Sequence, residues 1–170
     1  RAQGREFDWA QAQARKAEVV RYLRGGLEVL LYKNQVAVHQ GMARLAGPGR
    51  VVVTTDRDEE TLLAKNVIIA TGSVPKSLPG VTIDEERILS SSGALSLPAV
   101  PLSLAIIGAG AVGVECATSG EALGTEITIL EKMDRVVPSE DWEISDSLRK
   151  IMNRRGIRIL TNCDVMGLDD

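Results

Sequence analysis

Aromatic residues are scarce, with two Trp, two Tyr and one Phe making up 3% of the 170 residues. A core must therefore be built from Val, Ile, Leu and Ala, and the stacking platforms that grip single-stranded nucleic acid are missing. Cysteine occurs twice, at Cys116 and Cys163, far apart and with no CxxC spacing or Cys/His neighbour, so no zinc site or other metal site is expected. A structural disulfide belongs to a secreted context, of which there is no sign. Both thiols are expected to be reduced and buried or half-buried in a cytoplasmic protein. The one histidine, His39, is expected to be a surface or strand residue. No stretch approaches the roughly 18 consecutive apolar residues of a spanning helix. The opening residues are polar and lack the apolar region of a secretory signal. Arg1 is not a start methionine, so the chain is expected to be processed or cut from something longer. Charge of one sign is also lacking: 20 Lys+Arg stand against 23 Asp+Glu, a net −3. The small basic excess in residues 1–35 is interspersed rather than striped, which argues against a nucleic-acid partner.

What is present is ordinary globular material, 44% apolar and 25% charged. Residues 8–23 read as a helix, with Asp8 as N-cap and Trp9, Ala12, Val19, Val20 and Leu23 marking an apolar face. Gly25-Gly26 should stop it. Short strands are predicted at 36–39, 50–55 and 61–65. The Gly47-Pro48-Gly49 turn and the charged stretch 56–60 lie between them, suggesting an antiparallel meander. Residues 67–70 form a continuous apolar run suited to a strand buried on both faces. Prolines at 75, 79, 98 and 101 break up the next segment, and residues 95–101 read as the boundary between two units. After Pro101 the pattern alternates strand and helix: a strand at 104–107, a helix at 111–123 closed by Gly124, and a strand at 127–130. Ile144, Leu148, Ile151 and Met152 then recur at helical spacing with Gly156 as the stop, before a strand at 157–160. Such a series predicts a parallel sheet with right-handed crossovers.

The strongest chemical signal is Gly108-Ala109-Gly110-Ala111-Val112-Gly113. A glycine-rich turn alone is a weak signal. This one follows a predicted strand, opens a predicted helix and is followed about 20 residues on by an acidic strand end, Glu131, which is the context of a dinucleotide fingerprint. Gly108 permits the tight turn, Gly110 lets the backbone approach a pyrophosphate, and Gly113 lets helix and strand pack closely. The helix N-terminus offers N–H groups and partial positive charge to phosphate. Glu131 is expected to accept hydrogen bonds from an adenosine ribose diol. The alternative is a solvated carboxylate at a strand end.

Three stretches together, VIIATGSVPKSLPG, LSLAIIGAGAVGVECA and GTEITILEKMDRVVPSEDWEIS, resemble the pyridine nucleotide-disulfide oxidoreductases, and within them the dihydrolipoamide dehydrogenase branch. The resemblance implies an α/β fold: an FAD/NAD-binding, doubly wound, Rossmann-like parallel sheet with an antiparallel β-meander. It implies that residues 1–97 are the C-terminal part of an FAD-binding domain (helix, meander and ATG strand) and 98–170 the first part of an inserted NAD-binding domain. Ala70-Thr71-Gly72-Ser73 would then pass beside the flavin. Gly41 and Ala43 would contact the FAD adenosine, residues 108–115 would form the NAD turn (including Val114 and, facing the nicotinamide, Glu115), and Val165 would lie near adenine.

The implied reaction passes electrons from a dithiol, the dihydrolipoyl group of a 2-oxo acid dehydrogenase complex, through an enzyme disulfide and FAD to NAD, in a parent expected to be a homodimer. The match has gaps. The family's cysteine pair, its first glycine fingerprint and its C-terminal His–Glu pair are absent here, so the segment is expected to hold cofactor contacts but no catalytic residue and to be inactive alone. Related glutathione, mercuric or quinone reductases, and a non-catalytic dinucleotide-binding module, are the alternatives. Glu131 speaks against NADP-dependent members, which prefer arginine there.

Overall fold

The computed structural model describes residues 7–167. Of these, Ala14–Val74 form one compact unit; Pro75 onward, together with the residues before Ala14, form the other. Helix α1 (Trp9–Lys33) begins in the second and continues into the first. Asp8 caps it as expected, its carboxylate accepting from Gln11 N at 2.9 Å. The Gly25-Gly26 stop is corrected: α1 runs through both glycines. Each costs about 0.5–1 kcal/mol in a helix interior, but the good helix formers Leu27, Glu28, Leu30 and Leu31 follow. The left-handed terminal position is instead taken by Gln35, at φ 56°, and the Asn34 side chain caps the Leu30 carbonyl at 2.8 Å. The apolar face of α1 is not buried: none of its residues is, and Leu23 is 63% exposed.

The meander of the first unit is a three-stranded antiparallel sheet of β1 (Met42–Leu45), β2 (Arg50–Thr54) and β3 (Glu59–Leu63) in that order, with Val52 and Val53 buried. Two strand expectations shift. Residues 36–39 are exposed and outside any strand. Pairing starts only at Met42, opposite Thr54, just after Gly41 brings the chain against β2. There a Cβ on Gly41 would stand 2.6 Å from the Thr54 carbonyl oxygen. The β2–β3 connection is also tighter than read, because Thr55 closes it by accepting on Oγ1 from Asp58 N at 3.0 Å, and this draws Glu59 and Glu60 into β3. Residues 67–70 are corrected too. They lie outside any strand, and Ile68 is 91% exposed. A run patterned for burial on both faces needs a parallel neighbour on each side, and the antiparallel sheet of this unit supplies none.

In the second unit β4 (Ser103–Ile107), α3 (Ala111–Ala122), β5 (Glu126–Leu130), α4 (Trp142–Arg154) and β6 (Arg158–Leu160) follow the predicted alternation. The sheet is parallel in the order β4-β5-β6, with Ser103 opposite Glu126 and Thr128 opposite Arg158. Before it lies one short helix, α2 (Ser91–Ala94), capped by Ser90. Gly124 and Gly156, both at φ 92°, follow the ends of α3 and α4 where the sequence places stops. The core lies between the central strand and the helices: Ile127, Ile129, Met152 and Ile157 are essentially inaccessible, with Ala117 of α3 against them. In α4 Met152 is buried and Leu148 half-buried, while Ile144 and Ile151 are exposed. The first turn of α1 docks on this unit, Trp9 Nε1 donating to the Leu97 carbonyl at 2.9 Å and Gln13 Nε2 to that of Leu95 at 3.2 Å. Among the described residues no helix is long and apolar enough to cross a membrane.

Candidate dinucleotide site

The site is built where β4 ends and α3 begins. Ile107 delivers the chain to Gly108 at φ 102°, a left-handed conformation that L side chains avoid, and Gly108 N donates to the Leu130 carbonyl of β5 at 2.8 Å. Gly110 is the N-cap of α3, with no side chain to satisfy the helix's free N–H groups. Its backbone is extended, and a Cβ there would meet no atom of the chain within 4 Å. Its lack of a side chain therefore serves nothing inside the protein and leaves the helix end open to an approaching group. Gly113 is the opposite case: a Cβ would collide with the Gly108 carbonyl oxygen and stand 3.4 Å from Ile106 Cγ2. Three glycines thus meet three separate requirements, the conformation, the open approach and the helix–strand contact.

Glu131 follows β5 directly. It is 7% exposed, so it is not a solvated strand-end charge. Its Oε2 accepts from Ala109 N at 2.6 Å and its Oε1 from Met133 N at 2.7 Å. A carboxylate has about four lone-pair sites, so acceptor capacity is left beyond these two bonds. The Glu131 backbone joins the same cluster, its N–H donating to Leu160 and its carbonyl accepting from Cys163 N at 2.9 Å. Lys132 and Arg135, the nearest cations in sequence, are engaged elsewhere. Lys132 Nζ pairs with Asp164 at 3.0 Å, and Arg135 donates to the Pro138 carbonyl at 3.0 Å.

The structure brings Gly108, Ala109, Gly110, Gly113 and Glu131 together at one edge of the sheet. Ala111, Val112 and Val114 form the first turn of α3. Glu115 is exposed on that helix, and half-buried Val165 lies just beyond the Cys163 link. The other candidates belong to the first unit. Ala43 pairs with Val53 in β1, and Thr71, Gly72 and Ser73 are exposed in a strandless segment with Gly72 at φ 78°. His39 is exposed outside any strand, with Nδ1 2.7 Å from Glu60 Oε2. Both cysteines are half-buried, and burial, with Glu115 beside it, pushes the Cys116 thiol above its ordinary pKa.

Sequence reasoning missed Val137. Its N–H donates to the Ala109 carbonyl at 2.7 Å, with φ at 38°. No signal in Arg135-Val136-Val137-Pro138 announces this, since a β-branched residue rarely takes that conformation.

The sequence model of the family described as pyridine nucleotide-disulphide oxidoreductase matches residues 2–170. The chain is 46% identical over 149 residues to dihydrolipoyl dehydrogenase 3 of Pseudomonas putida, covering 87% of this chain and 32% of that protein. It is 38% identical over 165 residues to the mitochondrial dihydrolipoyl dehydrogenase of Pisum sativum, covering 96% and 33%. Among solved structures it matches LpdA of Mycobacterium tuberculosis with a TM-score of 0.84 at 26% identity, over 96% of this chain and 37% of that one. It also matches the HOCl-induced flavoprotein disulfide reductase RclA of Escherichia coli, with a TM-score of 0.77 at 29% identity, over 95% and 37%. The chain spans about a third of the length of the curated relatives it matches.

Proposed function

The chain belongs to the pyridine nucleotide-disulphide oxidoreductase family, and on that premise we propose that it is part of a dihydrolipoamide dehydrogenase, with residues 98–170 holding NAD and residues 1–97 contributing to FAD binding. The observation that carries this reading is the division of labour among Gly108, Gly110 and Gly113 beside a buried, preset Glu131. NAD bound there supplies the electron acceptor, and FAD the relay from an enzyme disulfide reduced by the dihydrolipoyl substrate.

The chain's own residues bind and orient. The N-terminal N–H groups of α3 face the pyrophosphate, where the helix dipole favours negative charge. The unused lone pairs of Glu131 accept from the adenosine ribose, Ala111, Val112 and Val114 belong to the NAD-binding turn, and Glu115 faces the nicotinamide side. Val165 lies toward adenine. Gly41, Ala43, Thr71, Gly72 and Ser73 are the FAD contacts. The partner is the dihydrolipoyl group of a 2-oxo acid dehydrogenase complex, the parent is a homodimer, and the cysteine pattern supports a reducing, cytoplasmic setting.

The test is steady-state kinetics of the full-length protein with dihydrolipoamide and NAD. NAD reduction dependent on dihydrolipoamide supports the reading, and its absence overturns it. The likeness to the HOCl-induced disulfide reductase favours one second reading, a reductase of another disulfide or oxidant. Turnover of such a substrate in place of dihydrolipoamide would establish it.

A further inference from the structure

Among the described residues Val137 is the one β-branched side chain held at left-handed φ, 38°. Such a conformation persists only where the surroundings over-determine it, and here they do. The Val137 carbonyl accepts from Glu140 N at 2.8 Å and from Oγ of Ser145, 1% exposed in the first turn of α4, at 3.3 Å. The side chain is packed in the core. So restrained, its N–H meets the Ala109 carbonyl at 2.7 Å, while Glu131 takes the Ala109 N–H from the other side at 2.6 Å. Ala109 is fully buried. Both backbone polar groups of the central turn residue are therefore fixed by one loop, residues 131–137, anchored at its far end to α4.

We propose that Val137 is a positioning residue for the dinucleotide site: its strained backbone sets the Gly108–Gly113 turn before the nucleotide arrives. A residue relaxed to ordinary φ would swing its N–H away from Ala109, so the strain accompanies the contact. A preset turn spares the ordering cost that a loose one incurs on binding. This inference rests on the dinucleotide reading of the site, but the turn's rigidity is measurable without nucleotide.

Proline cannot test it, because its ring fixes φ near −65° and would break the loop. Replacing Val137 by its α-hydroxy acid in the full-length protein converts the N–H to an ester oxygen and keeps the side chain. The same replacement at Ala94 removes an α2 bond to the Ser90 carbonyl, 2.9 Å and away from the turn, and is the control. Amide exchange at Gly108 and Val114 reports the turn, and calorimetric titration with NAD reports binding. The Val137 ester is expected to speed exchange at both amides and to weaken NAD by about five- to tenfold, the effect of one lost hydrogen bond. The Ala94 ester should lower the melting temperature while leaving both readouts within about twofold. If the Val137 ester does not fold, Ser145→Ala loosens the same restraint, and exchange at Gly108 should then rise more than at Ile129 of β5.

Equal effects of the two esters on turn exchange, or an equal rise at Gly108 and Ile129 in Ser145→Ala, overturn the proposal. An unmodified protein that binds no NAD overturns the dinucleotide reading instead, and the exchange data still decide the role of Val137.

Discussion

Replacing Gly110 and Gly113 separately by alanine distinguishes a glycine kept for a ligand from one kept for the fold. At Gly113 the added methyl meets a backbone carbonyl, that of Gly108, which no rotamer change can move aside, and then Ile106 at 3.4 Å. Overpacking of this kind costs about 1–3 kcal/mol. Alanine's better helix propensity returns about 0.5–1 kcal/mol, so Gly113→Ala should be destabilised by roughly 1–2 kcal/mol net. At roughly 2–4 °C per kcal/mol for 150–250 residues and less for a longer chain, the melting temperature falls by a few degrees. At Gly110, φ is −71° and ψ −178°, which alanine adopts without strain, and the methyl points into open space. The smaller unfolded-state entropy stabilises by about 0.4–1 kcal/mol, while alanine's weakness as an N-cap costs about as much. Gly110→Ala should therefore keep its stability to within about 1 kcal/mol. It should still lose NAD affinity. A pyrophosphate held off by one methyl gives up at least one charge-assisted hydrogen bond of about 1.5–3 kcal/mol, and 1.4 kcal/mol is tenfold. The assay is thermal unfolding by circular dichroism together with calorimetric titration of NAD into each full-length variant. Unchanged NAD affinity in Gly110→Ala would refute the open approach as the phosphate path. An unchanged melting temperature in Gly113→Ala would refute the close helix–strand contact.

Glu131→Gln should destabilise the second unit by about 1–3 kcal/mol, because either amide orientation sets an NH₂ against the N–H of Ala109 or of Met133; denaturant unfolding with unchanged stability would show those bonds to be dispensable. Wild-type full-length protein should prefer NAD to NADP by roughly 10²- to 10³-fold in kcat/KM, since like charge near Glu131 costs up to about 4 kcal/mol before screening and Lys132 and Arg135 are engaged elsewhere; equal use of NADP would remove Glu131 from recognition. Asp84 accepts from the backbone of Ile88, Glu86 and Arg87, and these bonds, that of Ile88 foremost, hold its carboxyl below the ordinary aspartate pKa. Its contribution is therefore present at neutral pH and lost as pH falls through that lowered value, so the three amide resonances should shift together at a pH below the ordinary aspartate pKa of 3.8; a transition above that would contradict the turn. Cys116, raised by burial and by Glu115, should react with a thiol reagent at neutral pH more slowly than a free thiol of ordinary pKa; faster reaction would mean an activated thiolate.

The parallel half of the fold was legible because its signals are local. Gly108 needs a left-handed φ, Gly124 and Gly156 need the same at helix ends, and Asp8 needs only the N–H groups of its own turn. None of these depends on a partner far along the chain. The errors fall where local preferences compete or where the outcome depends on distant contacts. Gly25 and Gly26 carry the composition of a helix stop, yet their penalty is small beside the propensity of the residues that follow, and the stop moved to Gln35. Residues 67–70 have the composition of a strand covered on both faces, but a strand is a relation between segments, and nothing local supplies neighbours.

Val137 and Glu131 carry the same lesson into the site. The acidic strand end was legible from its spacing, whereas the burial of its carboxylate against Ala109 and Met133 was not. A sequence marks the position of the acidic strand end; only the folded chain shows that its carboxylate already holds the Gly108–Gly113 turn in place. On the proposed dinucleotide reading, loosening Glu131 therefore disturbs both the ribose contact and the Gly108–Gly113 turn. Its removal should cost more affinity than the ribose contact alone, and the excess should persist for a nucleotide lacking the ribose 2′-hydroxyl.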